Sequence, residues 1–558
     1  MRVVAFNVTH DSSVCSYVDG KIEFYCKEER ISKVKRDKAP YKSLELLYEQ
    51  NFGPIDHVLF LTPTYDYRLF ENYSRYVLKK FDVELENYSS LQHHDCHASI
   101  SFYNSGFEKS LVFVIDRNGS TFFSPNGNEL ARESESVYIA SYNEGIFPVQ
   151  KSFWINDENE KVYVKNLIKD YYQKDIDIEV NNPFSIVKVY EAATTLIGQH
   201  ALENGKTMGL SSYGENLEYP PLFLNGSAIR NYFSSIDVSF SEQNSSCFFG
   251  DEDKITDNLA KDNYQFYANK AKHVQLETQK ESLRLIKHYV EKTGINKVCI
   301  VGGYGLNVVA NNYYIKNLPD VEFYFEPLSD DSGITLGACM LKYRQVTGDQ
   351  KIYKLENNFY HYYKKQEINT NKKQFKTADD IVNILVDQKI VAVFQGAPEA
   401  GPRALGHRSL LFDPRNSNGK NLVNILKRRE WYRPFAGIIL EEHFSNYFET
   451  LGLKKSEYMV INFDAKPDVR DYVPSIVHVD NTCRVQTVSK KDGFIFELLT
   501  SFYERTGCPM LLNTSFNLAG KPLIQTEDDA LEFIDAVKDL EIFSGVYFVD
   551  EKIFVPRS

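Results

Sequence analysis

The stretch HHDCHAS, residues 93–99, sets three of the chain's twelve histidines within five positions. Read as a helix, it puts His93 and His97 one turn apart on one face, while His94 points elsewhere. Imidazoles at that spacing are a common ligand pair, but two ligands do not close a metal site. Carboxylates are the natural completion. Asp116 ends the apolar run SLVFVID (110–116), so a strand would present it at its carboxyl end, where α/β sites gather. Asp331 follows another apolar strand and precedes a small-residue helix in DDSGITLGA (330–338), and from the residues alone Asp330 is its rival. Two imidazoles and two carboxylates suit iron, zinc or manganese and leave room for an exchangeable ligand. Spacing by itself also admits a helix cap, a packed core histidine and two turn aspartates.

A second chemistry lies in FQGAPEAGPRALGHRSLLFDPRNSNGKNLVNILKRREWYRPF, residues 394–435. Between Arg403 and Arg433 there are eight Lys or Arg and only two acids, in a chain whose net charge is −12. Prolines, glycines and apolar residues interleave these cations, which a solvated face would not need. Forked guanidiniums grip phosphate or carboxylate oxygens. Arg484, on the predicted strand of VDNTCRVQTV, and Asn513, Thr514 and Ser515, in a polar turn after an apolar strand, extend the set. Arg408 and Arg415 read better as loop staples than Arg403 and Arg433 do. The ligand implied is an anion with several phosphates.

Behind these groups stands an α/β chain. RVVAFNV, SSVCSYV and KIEFYCKEE read as three strands, with the tight polar turn THDSS between the first two and DG before the third. HVLFLT and SLVFVID are buried strands ending in polar turns, and NKVCIVGGYGLNVVANNYY is strand, glycine turn and helix. At 558 residues, two or more domains are expected. The division predicted is 1–345, a polar connector over 346–380, and a second α/β unit over 381–558. No internal repeat of 20–50 residues is visible. The eight cysteines are scattered without a C-x-x-C pair, which fits reduced thiols in a cytoplasmic protein. No apolar run approaches a membrane span, and the first residues turn polar too soon for a signal peptide. The acidic balance argues against a general nucleic-acid binder, while Lys364, Lys365, Lys372, Lys373 and Lys376 leave a local groove open.

The ordered motifs HHDCHAS, GKTMGLSSYGE, GGYGLNVVANN, DSGITLGA, GPRALGHRSLLFDPR, YRPFA, HVDNTCRVQT and NTSFNLAGKPLI together resemble the O-carbamoyltransferases of antibiotic and nodulation-factor biosynthesis. The resemblance runs through nearly the whole chain. It implies an N-terminal actin/sugar-kinase-like (ASKHA) metal-binding transfer domain and a C-terminal YrdC-like domain that forms carbamoyl adenylate. It further implies metal ligands at His93, His97, Asp116 and Asp331, with iron as the expected ion. Carbamoyl phosphate and ATP (with Mg2+) would be held by Arg403, Lys427, Arg433, Arg484, Asn513 and Ser515. Gly302, Gly303 and Asn307 match the family's adenylate-binding loop, and His10 and Lys35 match positions lining its transfer site. A homodimer is admitted.

Two departures stand out. The family continues its metal aspartate as D-G-x-G-E, whereas here Asp116 is followed by Arg117, Asn118, Gly119 and Ser120; Lys521 stands where glutamate is usual. Both read as changes of specificity. The activity implied is transfer of a carbamoyl group to a hydroxyl: of a small metabolite, or alternatively of a hydroxymethylated pyrimidine, free or in DNA. An actin-fold kinase would leave the basic second half and the histidine pair without a role. A non-catalytic scaffold sensing carbamoyl phosphate is the remaining alternative.

Overall fold

The computed structural model describes residues 1–63, 67–87, 93–123, 129–155, 158–181, 185–224, 226–228 and 264–557. They form two compact units, one of residues 1–23 and 38–356, the other of residues 24–37 and 357–558. The stretch expected as a connector divides accordingly: residues to 356 group with the first unit and those from 357 with the second.

The first unit holds two mixed sheets of one design. In the first, β1 (Arg2–Asn7) pairs antiparallel with β2 (Ser13–Val18) and parallel with β4 (His57–Leu61), giving the order β3-β2-β1-β4-β5 with β3 at Lys21–Lys27 and β5 at Leu85–Asn87. In the second, β6 (Lys109–Ile115) takes the place of β1. It pairs antiparallel with β8 (Glu129–Ser141) and parallel with β13 (Lys297–Val301). Beyond them lie β9 (Gly145–Ile155) and β14 (Glu322–Phe325), with β10 (Asp177–Asn181) added outside β9 and β7 (Thr121–Phe123) on β8. A two-residue-strand hairpin, β11 (Phe223–Leu224) and β12 (Ser227–Ala228), stands apart. This duplicated connectivity is the actin/sugar-kinase arrangement that the resemblance implied. It is a repeat of chain path, not of residues.

β1, β4, β6 and β13 are apolar runs buried almost throughout, as strands covered on both faces must be. Their carboxyl ends deliver Asn7, Asp116 and Gly302 to one rim of the unit.

The second unit is built on one nine-stranded mixed sheet. Its strands are β15 (Gln374–Phe375), β16 (Ile390–Phe394), β17 (Arg408–Phe412), β18 (Ala436–Leu440), β19 (Asn462–Asp464), β20 (Thr482–Val488), β21 (Met510–Ser515), β22 (Phe543–Phe548) and β23 (Ile553–Pro556). Their order is β15-β23-β22-β16-β17-β21-β18-β20-β19. Helix Ala378–Val386 opens with a capping box between Thr377 and Asp380. Seven cysteines are described, none in a disulfide; Cys247 lies outside the described residues. Among the described residues no helix is long and apolar enough to cross a membrane.

Candidate metal centre and anion site

His93 and His97 occupy the first turns of helix His93–Ser105, which is buried along its whole length. Asp116 follows β6 directly, and Asp331 opens a short 3-10 turn before helix Ile334–Thr347. Gly337 lets that helix close on the first: a Cβ there would lie 1.9 Å from the Cys96 carbonyl oxygen. This close approach brings Asp331 to the histidines. Asp330, the rival, is instead a cap, its Oδ1 accepting from the Ser332 amide at 3.1 Å.

The four predicted side chains meet, each offering an atom within 4.8 Å of every other. His93 Nε2 stands 3.5 Å from both Asp116 Oδ2 and Asp331 Oδ1, and His97 Nε2 stands 4.0 and 3.6 Å from the same oxygens. All four are at most 7% exposed. His93 Nε2 and both His97 ring nitrogens are buried without a hydrogen-bond partner. Burial pushes the His93 imidazole down, yet Asp331 and Asp116 outweigh it and hold the group at about 10. Burial likewise raises Asp116, but the imidazoles bring it to about 2. Converging carboxylates facing unpartnered nitrogens fit a divalent cation.

Backbone and side-chain bonds brace this corner. The Gly303 amide donates to Asp116 Oδ1 at 2.9 Å. Gly302 sits at φ +88°, where a Cβ would come 2.5 Å from the Ile115 carbonyl oxygen. Asn307 caps the next helix, accepting from Ala310, and exchanges hydrogen bonds with Gln275. Across the corner, Asn7 Nδ2 donates to the Asp331 carbonyl at 3.0 Å and Ser13 Oγ to the Ser332 carbonyl at 2.9 Å. These bonds bolt the THDSS turn beside the corner. His10 Nδ1 lies 3.6 Å from Asp331 Oδ2, and its Nε2 lies 3.1 Å from Asp11 Oδ2. Lys35 is exposed, in the segment that groups with the second unit.

Sequence reasoning missed a buried network around the third histidine. His94 Nδ1 meets Ser136 Oγ at 2.8 Å and Glu133 Oε1 at 3.2 Å, and Lys151 donates to the same carboxylate. Burial would raise Glu133, but His94 and Lys151 bring it well below the usual carboxylate range. Glu133 Oε2 also accepts the Ser120 amide at 3.1 Å. The carboxylate absent at position 120 therefore has a spatial counterpart on β8. Arg117 turns to Glu191, 2.7 Å away, which Lys188 holds from the other side at 2.8 Å.

In the second unit, Asn513, Ala436 and Arg484 are register partners on β21, β18 and β20, so they share one row of the sheet. Asn513 Nδ2 donates to the Ala404 carbonyl and to Gln486, leaving its buried Oδ1 without a partner. This ties the loop of Arg403, which is half-buried, to the row. Arg484 Nε is likewise buried and unpartnered. Burial lowers Arg484 to about 10, Cys483 raises it and Arg433 adds to the depression. Arg433 Nη1 pairs with Glu430 at 3.4 Å. Arg429, not singled out from sequence, joins them, held well down by burial and then by Arg433. Lys427 is occupied otherwise: its ammonium donates to Ser515 and Asn517, through backbone and side-chain oxygens of each. Arg408 and Arg415 are staples as expected, the first donating to the Gln395, Gly396 and His407 carbonyls, the second paired with Asp413 at 2.6 Å. Lys364, Lys365, Lys372 and Lys373 are exposed and Lys376 is half-buried; Lys365 pairs with Glu551.

Comparison with known proteins follows the same two halves. Residues 57–340 match the model described as Carbamoyltransferase N-terminus, and residues 382–548 match Carbamoyltransferase C-terminus. The chain belongs to the carbamoyltransferase family and is an enzyme of that class. An uncharacterised protein of Methanocaldococcus jannaschii, MJ1058, is 30% identical over 83% of this chain and 74% of its own length. Nodulation protein NolNO of Sinorhizobium fredii is 24% identical over 98% and 80%, and nodulation protein NolO of Bradyrhizobium diazoefficiens 28% over 79% and 75%. Among solved structures, full-length HypF in its phosphate- and nucleotide-bound form aligns with 62% of this chain and 56% of its own, at 13% identity and a TM-score of 0.36.

Proposed function

We propose that this enzyme activates carbamoyl phosphate with ATP and transfers the carbamoyl group to a hydroxyl of a small-molecule acceptor. Activation belongs to the second unit. Water cleaves carbamoyl phosphate to carbamate and phosphate; a carbamate oxygen then attacks the α-phosphorus of ATP, and pyrophosphate leaves. The product is carbamoyl adenylate. Arg403, Arg433 and Arg484 neutralise oxygens that would otherwise repel the incoming carbamate. Lys427 acts on the same ligands through the Ser515–Asn517 loop that it holds.

Transfer belongs to the metal corner of the first unit. His10 takes the proton of the acceptor hydroxyl as its oxygen attacks the carbamoyl carbon, and AMP departs. Gly302, Gly303 and Asn307 flank the nucleotide. His93, His97, Asp116 and Asp331 would hold a divalent ion, which supplies Lewis-acid polarisation of the carbamoyl group or its phosphate. The acceptor preferred is a neutral or anionic metabolite, since Arg117, where the family has glycine, sets a cation next to Asp116 in the chain.

The observation that carries this reading is the cluster of guanidiniums at Arg429, Arg433 and Arg484, with Nε of Arg429 and Nε of Arg484 buried and lacking partners, in a member of this family. Incubation with ATP, labelled carbamoyl phosphate and a panel of alcohols tests it. Expected products are AMP, pyrophosphate and an alcohol heavier by one carbamoyl group. ADP as the sole nucleotide product would instead mean a kinase.

A further inference from the structure

Arg30 lies on the short helix Glu28–Ser32, in the segment that groups with the second unit. Its side chain is 3% exposed. A guanidinium has five N–H donors, and one nitrogen here, Nη2, reaches the Gly401 carbonyl at 3.2 Å. Nε and Nη1 are buried without an acceptor. A carbonyl supplies no counter-charge, and among the described residues Arg30 has no ion-pair partner. A buried guanidinium left in that state is strongly disfavoured.

The surroundings point to the missing partner's chemistry. Gly401 belongs to the loop of Arg403, whose Ala404 carbonyl is bound by Asn513 in the row of Arg484. In this loop Glu399 Oε1 accepts the amides of Leu405, His407 and Arg408 and folds the loop on itself, while its Oε2, among the described residues, is buried without a hydrogen-bond partner and makes no ion pair with Arg30. On the other side the segment is fastened by the Lys27 amide, which donates to His361 Nε2 at 2.9 Å. Arg30 is thus fixed in place, with two nitrogens of its planar fork still to be used. Such a fork matches the paired oxygens of a phosphate or carboxylate.

We propose that Arg30 is a further ligand of the second unit's anion site and binds a phosphate oxyanion of the donor substrates, either carbamoyl phosphate or the ATP polyphosphate. This rests on the donor-activation reading above and adds to it a residue some 370 positions distant in sequence from the loop it serves.

Equilibrium dialysis of the full chain against labelled carbamoyl phosphate, ATP and inorganic phosphate, each alone, tests the proposal, with pyrophosphate release followed in parallel. Arg30→Gln should weaken one of the three by tenfold or more, and R30K should recover part of the loss. A tenfold loss confined to carbamoyl phosphate and phosphate assigns the anion to the carbamoyl donor; one confined to ATP assigns it to the nucleotide. A merely structural Arg30 would lower the melting temperature of both variants and leave all three dissociation constants within twofold of the parent, which would overturn the proposal. If Arg30→Gln does not fold, R30K carries the same comparison, since the lysine keeps the charge and loses the fork. A parent chain that binds none of the three would sink donor activation and this inference together. A parent that binds them and releases pyrophosphate, with Arg30 immaterial, would sink the inference alone.

Discussion

The metal corner is buried and the guanidinium cluster half-buried, and their charge is arranged in opposite ways. In the corner each imidazole faces carboxylates, and Asp116 is drawn to about 2 while His93 is held at about 10. In the guanidinium cluster, cations face one another: burial and Arg433 depress Arg429, and burial and then Arg429 depress Lys427. A cluster with converging carboxylates and bare ring nitrogens gathers a cation; one with crowded guanidiniums gathers an anion. In the proposed reaction this contrast would give activation and transfer two different electrostatic environments.

The largest effects should come from breaking that division. His93→Ala should cut carbamoyl transfer at least about a thousandfold, about 4 kcal/mol of barrier, and lower the metal bound per chain. Pyrophosphate release should stay within a few-fold of the parent. Metal analysis alongside product mass spectrometry checks both; loss of both half-reactions would mean that the corner and the cluster do not work separately. In the opposite direction, Arg484→Ala should slow pyrophosphate release by about a hundredfold, about 3 kcal/mol, with metal content unaltered. Elemental analysis and a coupled pyrophosphate assay read the two separately.

How far this arrangement could be read beforehand depended on how local each signal is. His93 and His97 were legible because helical spacing alone puts them on one face, and Asp116 because a buried strand must end in a polar turn. Asp330 and Asp331 were inseparable in sequence: both border the same turn, and only the cap to Ser332 tells them apart. Arg429 could not be told from Arg428, which lies on the exposed side and donates to the Ala536 carbonyl. Arg30 was illegible for a different reason. Within KEERISK it reads as one charge of a solvated turn, and its burial against Gly401 is set by tertiary packing. The duplicated sheet was hidden too, because the two halves share a path of strands without sharing residues.

A smaller effect tests whether Lys427 touches ligand or holds the loop. Replacing it with Met would leave acceptors on Ser515 and Asn517 without their donor, a loss of about 2–3 kcal/mol in stability. Thermal melting should show it without any substrate present. Below the melting range, Lys427→Met should retain more pyrophosphate release than Arg484→Ala does. The reverse ranking would make the ammonium a direct ligand.

The smallest effect comes from a carboxyl buried like Asp116 but lacking an imidazole. Glu135 is pushed up to about 7, chiefly by burial, with the Ser134 hydroxyl and Ile186 amide opposing and Glu281 and Glu179 adding to the rise. The native state therefore keeps a proton that the unfolded chain, near pKa 4.5, has released. Its contribution is fully present below about pH 4.5 and is lost as pH rises through about 7. Glu135→Gln should flatten that part of the stability curve and raise stability at pH 8 by about 1–2 kcal/mol. A tenfold change in proton affinity is worth ~1.4 kcal/mol, and water penetration trims the total. Denaturant melts at pH 5, 6.5 and 8 measure it. Curves that stay parallel for parent and variant would show that Glu135 titrates normally, and that burial without a charged partner does not separate this carboxyl from those of the metal corner.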